Sequence, residues 1–374
     1  MTRPAARLIT ITRAVIILVT LCLVSVGLAG PASATNGGTI FVRHGDKIQK
    51  AIDAASRGAR IIVGPGTYAE QLTITKDGID LIGLGAILTP PSDPVPVSNY
   101  CSGLAGPGTE AGICVSGANI NLAEYKVEHR KFISVDRRVQ GVSITGFQVR
   151  GFSGENIAVV GAQDARVVGN RLTDSARYGF LSVGSNNTRA STNIVASSTA
   201  LPFIGMCMDD LTGAEVSYNH IAGYEIALCV QTPGAEVHHN DVSSSCTGAF
   251  VDPGVVGAKL HDNRFRGTNP GCAEKVDPKR GLFFVFGIFV SGAVNTEVRR
   301  NRIEGQTGGG SANSFAVGLA VVDDETGAIA SGNVVTKNVL RHNDFDLYIG
   351  ATGTGNVVTD NRCTTSFFPD GLCG

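Results

Sequence analysis

One short phrase recurs along this chain and constrains its fold more than any other feature. Each copy has eight positions: a small residue comes first, an apolar residue third, Asn sixth and a second apolar residue eighth. One copy begins at Ala165. A period near this length indicates a solenoid, in which each repeat buries itself on its neighbours. The Asn position recurs about every 22 residues, with two longer steps, at Gly146, Asn170, Asn193, Asn219, Asn240, Asn263, Asn301, Asn343 and Asn361.

A second short run follows each copy of the phrase. Examples are Gly-Phe-Leu-Ser-Val at 179–183, Gly-Met-Cys-Met at 205–208 and Gly-Ala-Phe-Val at 248–251. Alternation with a period of two, and Gly or Asn at the bends, predicts short β-strands. We expect the Asn to suit a sharp, left-handed bend. Stacked once per coil, the Asn side chains are expected to hydrogen-bond to one another along the axis.

Three other folds fit the pattern less well. A leucine-rich repeat needs a Leu-x-x-Leu-x-Leu signature, which the sequence lacks. A propeller has antiparallel blades at nearly twice this period, and a β-sandwich would not repeat one phrase in register. The predicted fold class is therefore all-β, a single-stranded right-handed parallel β-helix with a short N-terminal capping helix. Ile48, Ile52 and Ala55 lie on one face of that helix and are expected to cover the open end of the core.

The pattern resembles the pectate-lyase-like superfamily, and specifically its parallel β-helix repeat members, over about residues 40 to 365. The segment Gly66-x-Tyr68-x-Glu70 is similar to the first motif of pectin methylesterases, but we interpret it as structural because the chain has no Trp. The pair Asp209-Asp210 resembles part of the polygalacturonase set, whose other motifs are missing. The Trp-Ile-Asp-His motif of pectate lyases is also absent. The resemblance therefore implies a fold and no particular enzyme family.

The first 34 residues resemble an export signal. Arg3, Arg7 and Arg13 precede an apolar run that ends before Ala32-Ser33-Ala34, a small-x-small cleavage pattern. An uncleaved membrane anchor is the alternative, because the run is nearly long enough to span a bilayer. We predict a signal peptide over 1–34 and a β-helix domain over 35–374, with a non-repetitive insertion at 89–118 and a long loop at 266–284. The protein is predicted to be secreted to the extracellular space.

Charge excludes some partners. Cleavage leaves 28 basic and 32 acidic residues, 28 − 32 = −4, with no basic run and no second long apolar run. These features argue against a nucleic-acid partner and against a membrane partner once the signal is removed. We expect a monomer.

Eight cysteines remain after cleavage, and an even number in an exported chain predicts disulfides. Cys207 and Cys229 occupy the same outward place on adjacent coils, where in-register strands bring their Cα atoms within disulfide range. Two free thiols packed under a loop are the alternative for this pair. The expected pairs are Cys101–Cys114, Cys207–Cys229, Cys246–Cys272 and Cys363–Cys373, the last tying Phe367 and Phe368 over the final coil.

Strand alternation also predicts an apolar outward column. Phe250, Phe289 and Tyr348 fall on it, and aromatic faces suit the apolar surfaces of sugars. We therefore predict substrate binding at these three residues. The alternative is that long turns fold over the column and bury it.

Acidic and basic residues lie next to this column. A lyase needs a base and a positive charge, often Ca²⁺, to neutralise a uronate carboxylate. Asp209, Asp210 and Asp252 could hold the ion, and Lys275, Lys279 or Arg280 could act as base. The predicted function is binding of, or action on, an acidic extracellular polysaccharide, with lyase chemistry ahead of glycoside hydrolysis. A non-catalytic protein that binds glycan or cell wall, or a structural β-helix protein, is the competing class, and the need for Ca²⁺ stays open.

Overall fold

The computed structural model describes residues 37–92, 99–199 and 201–373, so the predicted signal peptide lies outside the described residues. The described chain winds as a right-handed parallel β-helix whose coils add one strand to each of three long parallel sheets. Within these residues no helix is both long and apolar enough to cross a membrane. The predicted fold class is confirmed.

The first sheet has twelve strands, all paired in parallel with their neighbours. Its strands are Thr39–Val42, Arg60–Val63, Asp80–Gly83, Ser143–Thr145, Arg166–Val168, Arg189–Ser191, Glu215–Ser217, Glu236–His238, Lys259–His261, Glu297–Arg299, Val334–Thr336 and Val357–Thr359.

The second sheet has ten strands and follows the first around each coil. Its strands are Gly66–Ala69, Ala86–Thr89, Gln148–Arg150, Arg171–Thr173, Ile194–Ala196, His220–Ala222, Asp241–Ser245, Arg264–Thr268, Arg302–Glu304 and Val339–Arg341.

The third sheet has eleven strands and contains the longest ones. Its strands are Leu72–Ile74, Ile113–Ser116, Glu155–Val160, Tyr178–Val183, Ile204–Asp209, Ile226–Val230, Thr247–Val251, Phe283–Ser291, Ser314–Val322, Phe345–Gly350 and Ser366–Phe368.

A few elements lie outside these sheets. An antiparallel hairpin joins Ala118–Leu122 to Phe132–Arg137, and a short parallel pair joins Val139–Gln140 to Ala162–Gln163. The loop predicted at 266–284 contains the 3₁₀-helix Pro270–Glu274. The segment predicted as an insertion, 89–118, includes the strand Ile113–Ser116, which pairs within the third sheet.

The Asn ladder forms as expected, and its membership corrects one sequence assignment. Each Asn side chain donates from Nδ2 to the Oδ1 of the next Asn at 2.9–3.1 Å. The ladder passes from Asn301 to Asn338 and not to Asn343, whose amide donates to Asp346. The true repeat thus lies five residues earlier, at 333–338. The ladder runs through Asn170, Asn193, Asn219, Asn240, Asn263, Asn301, Asn338 and Asn361.

The left-handed bend belongs to the residue before the ladder Asn, which is a second correction. Tyr218, His239 and Asp262 have φ of 58°, 56° and 57°, whereas Asn219, Asn240 and Asn263 do not. The Asn is needed for its side-chain amide, which forms hydrogen bonds with buried backbone and side-chain groups of the two neighbouring coils.

Both ends of the described core are covered. The helix Ile48–Ala54 buries Ile48 and Ile52 against the first coils, as expected. The Glu70 carboxylate accepts the backbone N–H groups of Ile48 and Gln49 at 2.9 and 3.2 Å, which explains the motif around Glu70 as a helix cap. At the other end Leu372 and the Cys363–Cys373 disulfide pack against the core. The strand Ser366–Phe368 pairs with Phe345–Gly350 of the last coil, as predicted for the tail, but the side chains of Phe367 and Phe368 stay exposed.

Candidate functional site

The outer face of the third sheet has two columns of side chains that run along the helix axis. We call the first the aromatic column, and strand register aligns in it Ala158, Leu181, Cys207, Cys229, Phe250, Phe289, Ala320 and Tyr348. The second, the edge column, lies two residues later, at the end of each strand or directly after it, and faces the same way. It includes Val183, Asp209, Gln231, Asp252, Ser291 and Val322.

Inserted segments cover the N-terminal half of this face. Leu181, Cys207 and Cys229 are fully buried in an apolar cluster with Leu104, from the 99–112 segment, and with Leu122, from the antiparallel hairpin. In this half of the face, long turns fold over the aromatic column and bury it, which is the alternative that the sequence analysis left open.

All four predicted disulfides are present in the structure. Cys207 and Cys229 are joined with Cα atoms 4.4 Å apart, and their strands are in register. Cys101–Cys114 fixes the segment that covers the column, and Cys246–Cys272 fixes the loop that contains the 3₁₀-helix. The coil register inferred from the repeat is therefore correct through this part of the chain.

The C-terminal half of the face stays open and forms a pocket of about 780 Å³. Phe250 and Phe289 stack with ring centroids 5.3 Å apart, and Phe286 stacks on Phe289 at 4.3 Å. Phe315 packs edge-on against Tyr348 at 5.7 Å, and Phe367 packs edge-on against both rings. We call these six residues the aromatic pocket. Three of them, Phe286, Phe315 and Phe367, were not assigned to the site from the sequence, because they lie off the single column that alternation picks out.

One cation and four carboxylates lie around the aromatic pocket. Arg280 pairs with Asp277 at 2.5 Å and with Glu325, and its guanidinium lies 5.8 Å from the centre of the Phe284 ring. Asp323 and Asp324 also line the pocket. Lys275, another of the predicted bases, does not line the pocket and pairs with Glu225 at 2.8 Å.

A separate polar cluster lies at the edge column, where the inserted hairpin meets the sheet. His129 Nε2 lies 2.9 Å from Asp209 Oδ2, and Lys131 Nζ lies 3.2 Å from the same oxygen. His129 Nδ1 faces the Tyr178 hydroxyl at 3.3 Å. These contacts link the inserted hairpin to two strands of the third sheet.

Gln231 connects this cluster to the next acid along the column. Its Nε2 donates to Asp252 Oδ2 at 2.5 Å and to Glu128 Oε2 at 2.8 Å, and its Oε1 accepts from Lys131 at 2.5 Å. Asp252 Oδ1 is buried without a hydrogen-bond partner among the described residues. Glu128, Lys131 and Gln231, with His129, complete what we call the carboxylate cluster. Three of these four residues come from the inserted hairpin, which has no place in the repeat, so the period could not find them.

Two of the three acids in the carboxylate cluster, Asp209 and Asp252, have opposite protonation preferences. Burial acts to raise the pKa of Asp209, but the hydrogen bond from His129 and the charge of Lys131 outweigh it, so this pKa is lowered. Burial raises the pKa of Asp252 to about 8, and the Glu128 carboxylate adds to the effect. At neutral pH Asp209 is therefore ionised while Asp252 holds its proton.

Asp210 faces the other way. It is buried at the bend after its strand, where its Oδ1 accepts the Ser185 N–H at 3.2 Å and its own N–H donates to Thr232 Oγ1 at 2.8 Å. Burial raises the pKa of this carboxyl to about 6. Asp210 thus belongs to a polar stack inside the coil and not to the outer face.

The residues predicted to hold Ca²⁺ do not fit that ion. Ca²⁺ takes six to eight oxygens, but Asp210 faces inward and Lys131 places an ammonium at Asp209. Among residues 37–92, 99–199 and 201–373, no group of three or more His, Cys, Asp or Glu is arranged to hold a metal. The predicted site residues therefore fall in three places: Asp209 and Asp252 in the carboxylate cluster, Arg280 with the aromatic residues, and Asp210 and Lys275 apart from both.

Comparison with solved structures finds this coil architecture in other proteins. The chain superposes on the Dettilon tailspike protein with a TM-score of 0.56 at 15% sequence identity, over 87% of this chain and 68% of that chain. It superposes on a DFA-IIIase from Arthrobacter chlorophenolicus A6, solved without its lid in complex with GF2, with a TM-score of 0.53 at 12% identity, over 86% of this chain and 94% of that chain. The likeness is one of fold.

No protein-family model matches the chain, and no curated protein matches it significantly. The resemblance to right-handed parallel β-helix proteins is confirmed at the level of fold. No enzyme family follows from it, because fold and activity are separable.

Proposed function

We propose that the protein is secreted and binds an extracellular polysaccharide along the outer face of its third sheet. The observation that carries the proposal is the aromatic pocket, which stays open while the rest of the aromatic column is covered. A face that is half covered by dedicated insertions, and whose other half is an open pocket lined by stacked Phe rings, indicates a ligand for that pocket. Pockets for organic ligands are typically apolar, with a few placed polar groups at the margin.

Two further observations support this reading. The neighbours on the same fold include a tailspike protein and a DFA-IIIase solved with GF2, and these support a carbohydrate ligand. The four disulfides support an oxidising compartment, since such bonds persist outside the cytosol. Together with the predicted signal peptide, they favour export.

The proposal is tested by affinity electrophoresis on a panel of anionic, neutral and cationic polysaccharides. We expect at least one polymer to retard the protein. The double variant Phe250→Ala/Phe289→Ala should then lose roughly thirtyfold in affinity, since each of the two lost stacking contacts contributes about 1 kcal/mol. Tyr218→Ala, at the exposed bend after the first-sheet strand Glu215–Ser217, is the matched control and should bind as the parent does. Retention that is unchanged in a folded double variant would overturn the proposal.

A second candidate, cleavage of the bound glycan, is favoured by the carboxylate cluster. An ionised and a protonated carboxyl are the acid and base that glycosidic cleavage requires. Asp209 and Asp252 are two coils apart, about 10 Å by strand spacing, nearer to the separation in inverting than in retaining glycosidases. The half-exposed Lys131 side chain would have to move to admit a substrate between them. Lyase chemistry through Lys275 or Arg280 is less favoured, because both charges are paired.

Product analysis separates these chemistries. New reducing ends without absorbance of an unsaturated product indicate hydrolysis, and that absorbance indicates a lyase. Asp209→Asn and Asp252→Asn should each abolish turnover while binding persists, with Asp164→Asn as the exposed control. If the parent protein binds a polymer but releases no product, the proposed binding function stands and cleavage of the polymers tested is excluded.

A further inference from the structure

The charges around the aromatic pocket are mostly negative. Its lining includes four carboxylates, those of Asp277, Asp323, Asp324 and Glu325, and one cation, Arg280. The balance is 1 − 4 = −3. Arg280 is already shared by Asp277 and Glu325, so its charge is neutralised from two sides. We call the four acids the acidic rim.

Two rim acids are held by neutral groups alone. Asp323 accepts the Ala330 N–H at 2.9 Å and both the N–H and the hydroxyl of Thr352 at 3.0 and 2.5 Å. Asp324 accepts the Ser291 hydroxyl at 3.0 Å and the Thr326 N–H at 2.8 Å. Within the part of the chain that the structure describes, no ion pair involves either acid. Both carboxylates therefore carry an uncompensated charge next to the pocket.

These rim acids are ionised at neutral pH. Partial burial acts to raise the pKa of Asp323 and of Asp324, but hydrogen bonds from Thr352 and from Thr326, respectively, outweigh it and both values are lowered. The backbone N–H of Lys279 and the charge of Arg280 lower the pKa of Asp277 as well.

Acids also continue along the edge column towards the N-terminal coils. Phe250 precedes Asp252 by two residues, and Phe289 precedes Ser291, which binds Asp324, by two. Side chains two apart on a strand face the same way, about 6.6 Å from each other. A linear polymer that lies along the axis would thus have aromatic rings on one side and carboxylic groups on the other.

The negative charge of the acidic rim selects among polysaccharide classes, and the inference rests on the proposed binding function. A polyuronate would bring its carboxylates against the acidic rim and be repelled, whereas a neutral glycan would gain stacking only. We infer that the aromatic pocket takes a cationic amino-sugar polymer, one whose hexosamine units carry free ammonium groups. Each ammonium can pair with the acidic rim or lie over a ring face, where cation–π attraction adds to stacking. The acidic polysaccharide expected from the sequence is not the class that this rim favours.

The test compares three oligomers of equal length by titration calorimetry: oligoglucosamine, its fully N-acetylated form and oligogalacturonate. The expected result is tightest binding of oligoglucosamine, which weakens with added salt as ion pairing is screened. The double variant Asp324→Asn/Glu325→Gln should weaken this binding roughly tenfold and leave that of the N-acetylated form unchanged. Glu215→Gln/Glu236→Gln, on the first sheet, is the matched control and should bind as the parent does.

The outcomes separate the two proposals. If the N-acetylated or the uronate oligomer binds as tightly as oligoglucosamine, or if the rim variant binds oligoglucosamine normally, the amino-sugar inference is overturned while the polysaccharide-binding function survives. If no polymer of the panel binds and no oligomer binds, the proposed function itself fails. Because Asp324 also anchors a turn, the single variant Glu325→Gln, whose exposed side chain pairs only with Arg280 among the described contacts, repeats the test without risk to the turn.

Discussion

His129 Nε2 lies 2.9 Å from Asp209 Oδ2, and this contact joins the inserted hairpin to a strand of the third sheet. The two residues are eighty positions apart in the sequence. The imidazole is fully buried, whereas Asp209 keeps about a fifth of its side-chain surface exposed. This pair therefore fixes the hairpin over the face and sets the charge of Asp209 at the same time.

Replacing His129 should loosen the hairpin without unfolding the coils. His129→Ala removes the contacts to Asp209 and to Tyr178 and leaves Asp209 with Lys131 alone, which should cost about 1–3 kcal/mol. We expect faster hydrogen exchange in 118–137, with exchange in the first sheet unchanged. His220→Ala, an exposed histidine on the second sheet, is the control. Equal exchange of the hairpin in His129→Ala and in the parent would show that the contact contributes nothing to docking.

Asp252 should make stability depend on pH. Burial raises its pKa to about 8 in the folded protein, while an aspartate in the unfolded chain titrates near pH 4. The folded state keeps a proton that the unfolded state loses, so this residue lowers the free energy of unfolding as the pH rises from about 4 to 8. Asp252→Asn cannot titrate, so its stability relative to the parent should increase over that window, by at most about 1.4 kcal/mol per pH unit.

Urea unfolding at pH 5 and pH 8 measures this effect. The gain of Asp252→Asn over the parent should be larger at pH 8, and Asp164→Asn should show no such trend. A gain that is larger at pH 5 would mean that Asp252 is ionised in the folded protein.

The Asn ladder should be a main source of stability. Asn240→Ala removes the Oδ1 that accepts both the N–H and the amide of Asn219 at 3.0 Å, and it removes the donor to the Val216 carbonyl. Several buried polar groups would lose a partner, and we expect a loss of roughly 3 kcal/mol or more. Asn313→Ala, on an exposed turn, should change the stability by less than about 0.5 kcal/mol. Equal stabilities of the two variants in urea would argue against the ladder as a stabilising element.

The Cys207–Cys229 disulfide should stabilise the coil register. The bond closes a loop of 22 residues, and removing it with Cys207→Ala/Cys229→Ala should cost about 3 kcal/mol. Peptide mapping under non-reducing conditions should recover a crosslink between these two cysteines. A crosslink from Cys207 to any other cysteine would contradict the register of the third sheet and with it the alignment of the aromatic column.

Much of the coil could be predicted because it depends on local repetition. Each coil meets only its neighbours, so one phrase with a buried Asn and alternating apolar residues sets the inward faces, the ladder and the disulfide register. The assignment of the ladder Asn failed where two copies of the phrase overlap. Both 333–338 and 338–343 end in Asn, and only the packing of adjacent coils selects Asn338.

By itself, then, the sequence determined the fold, the four disulfides and the column that includes Phe250, Phe289 and Tyr348. The tertiary structure decided which part of that column is open, because the segments that cover it lie outside the repeat and carry no period. It also decided the sites of the predicted acids: Asp209 and Asp210 are adjacent in sequence, yet the bend between them sends one side chain to the hairpin and the other into the coil. A carboxylate takes its chemistry from its surroundings, and here those surroundings come from residues distant in the chain.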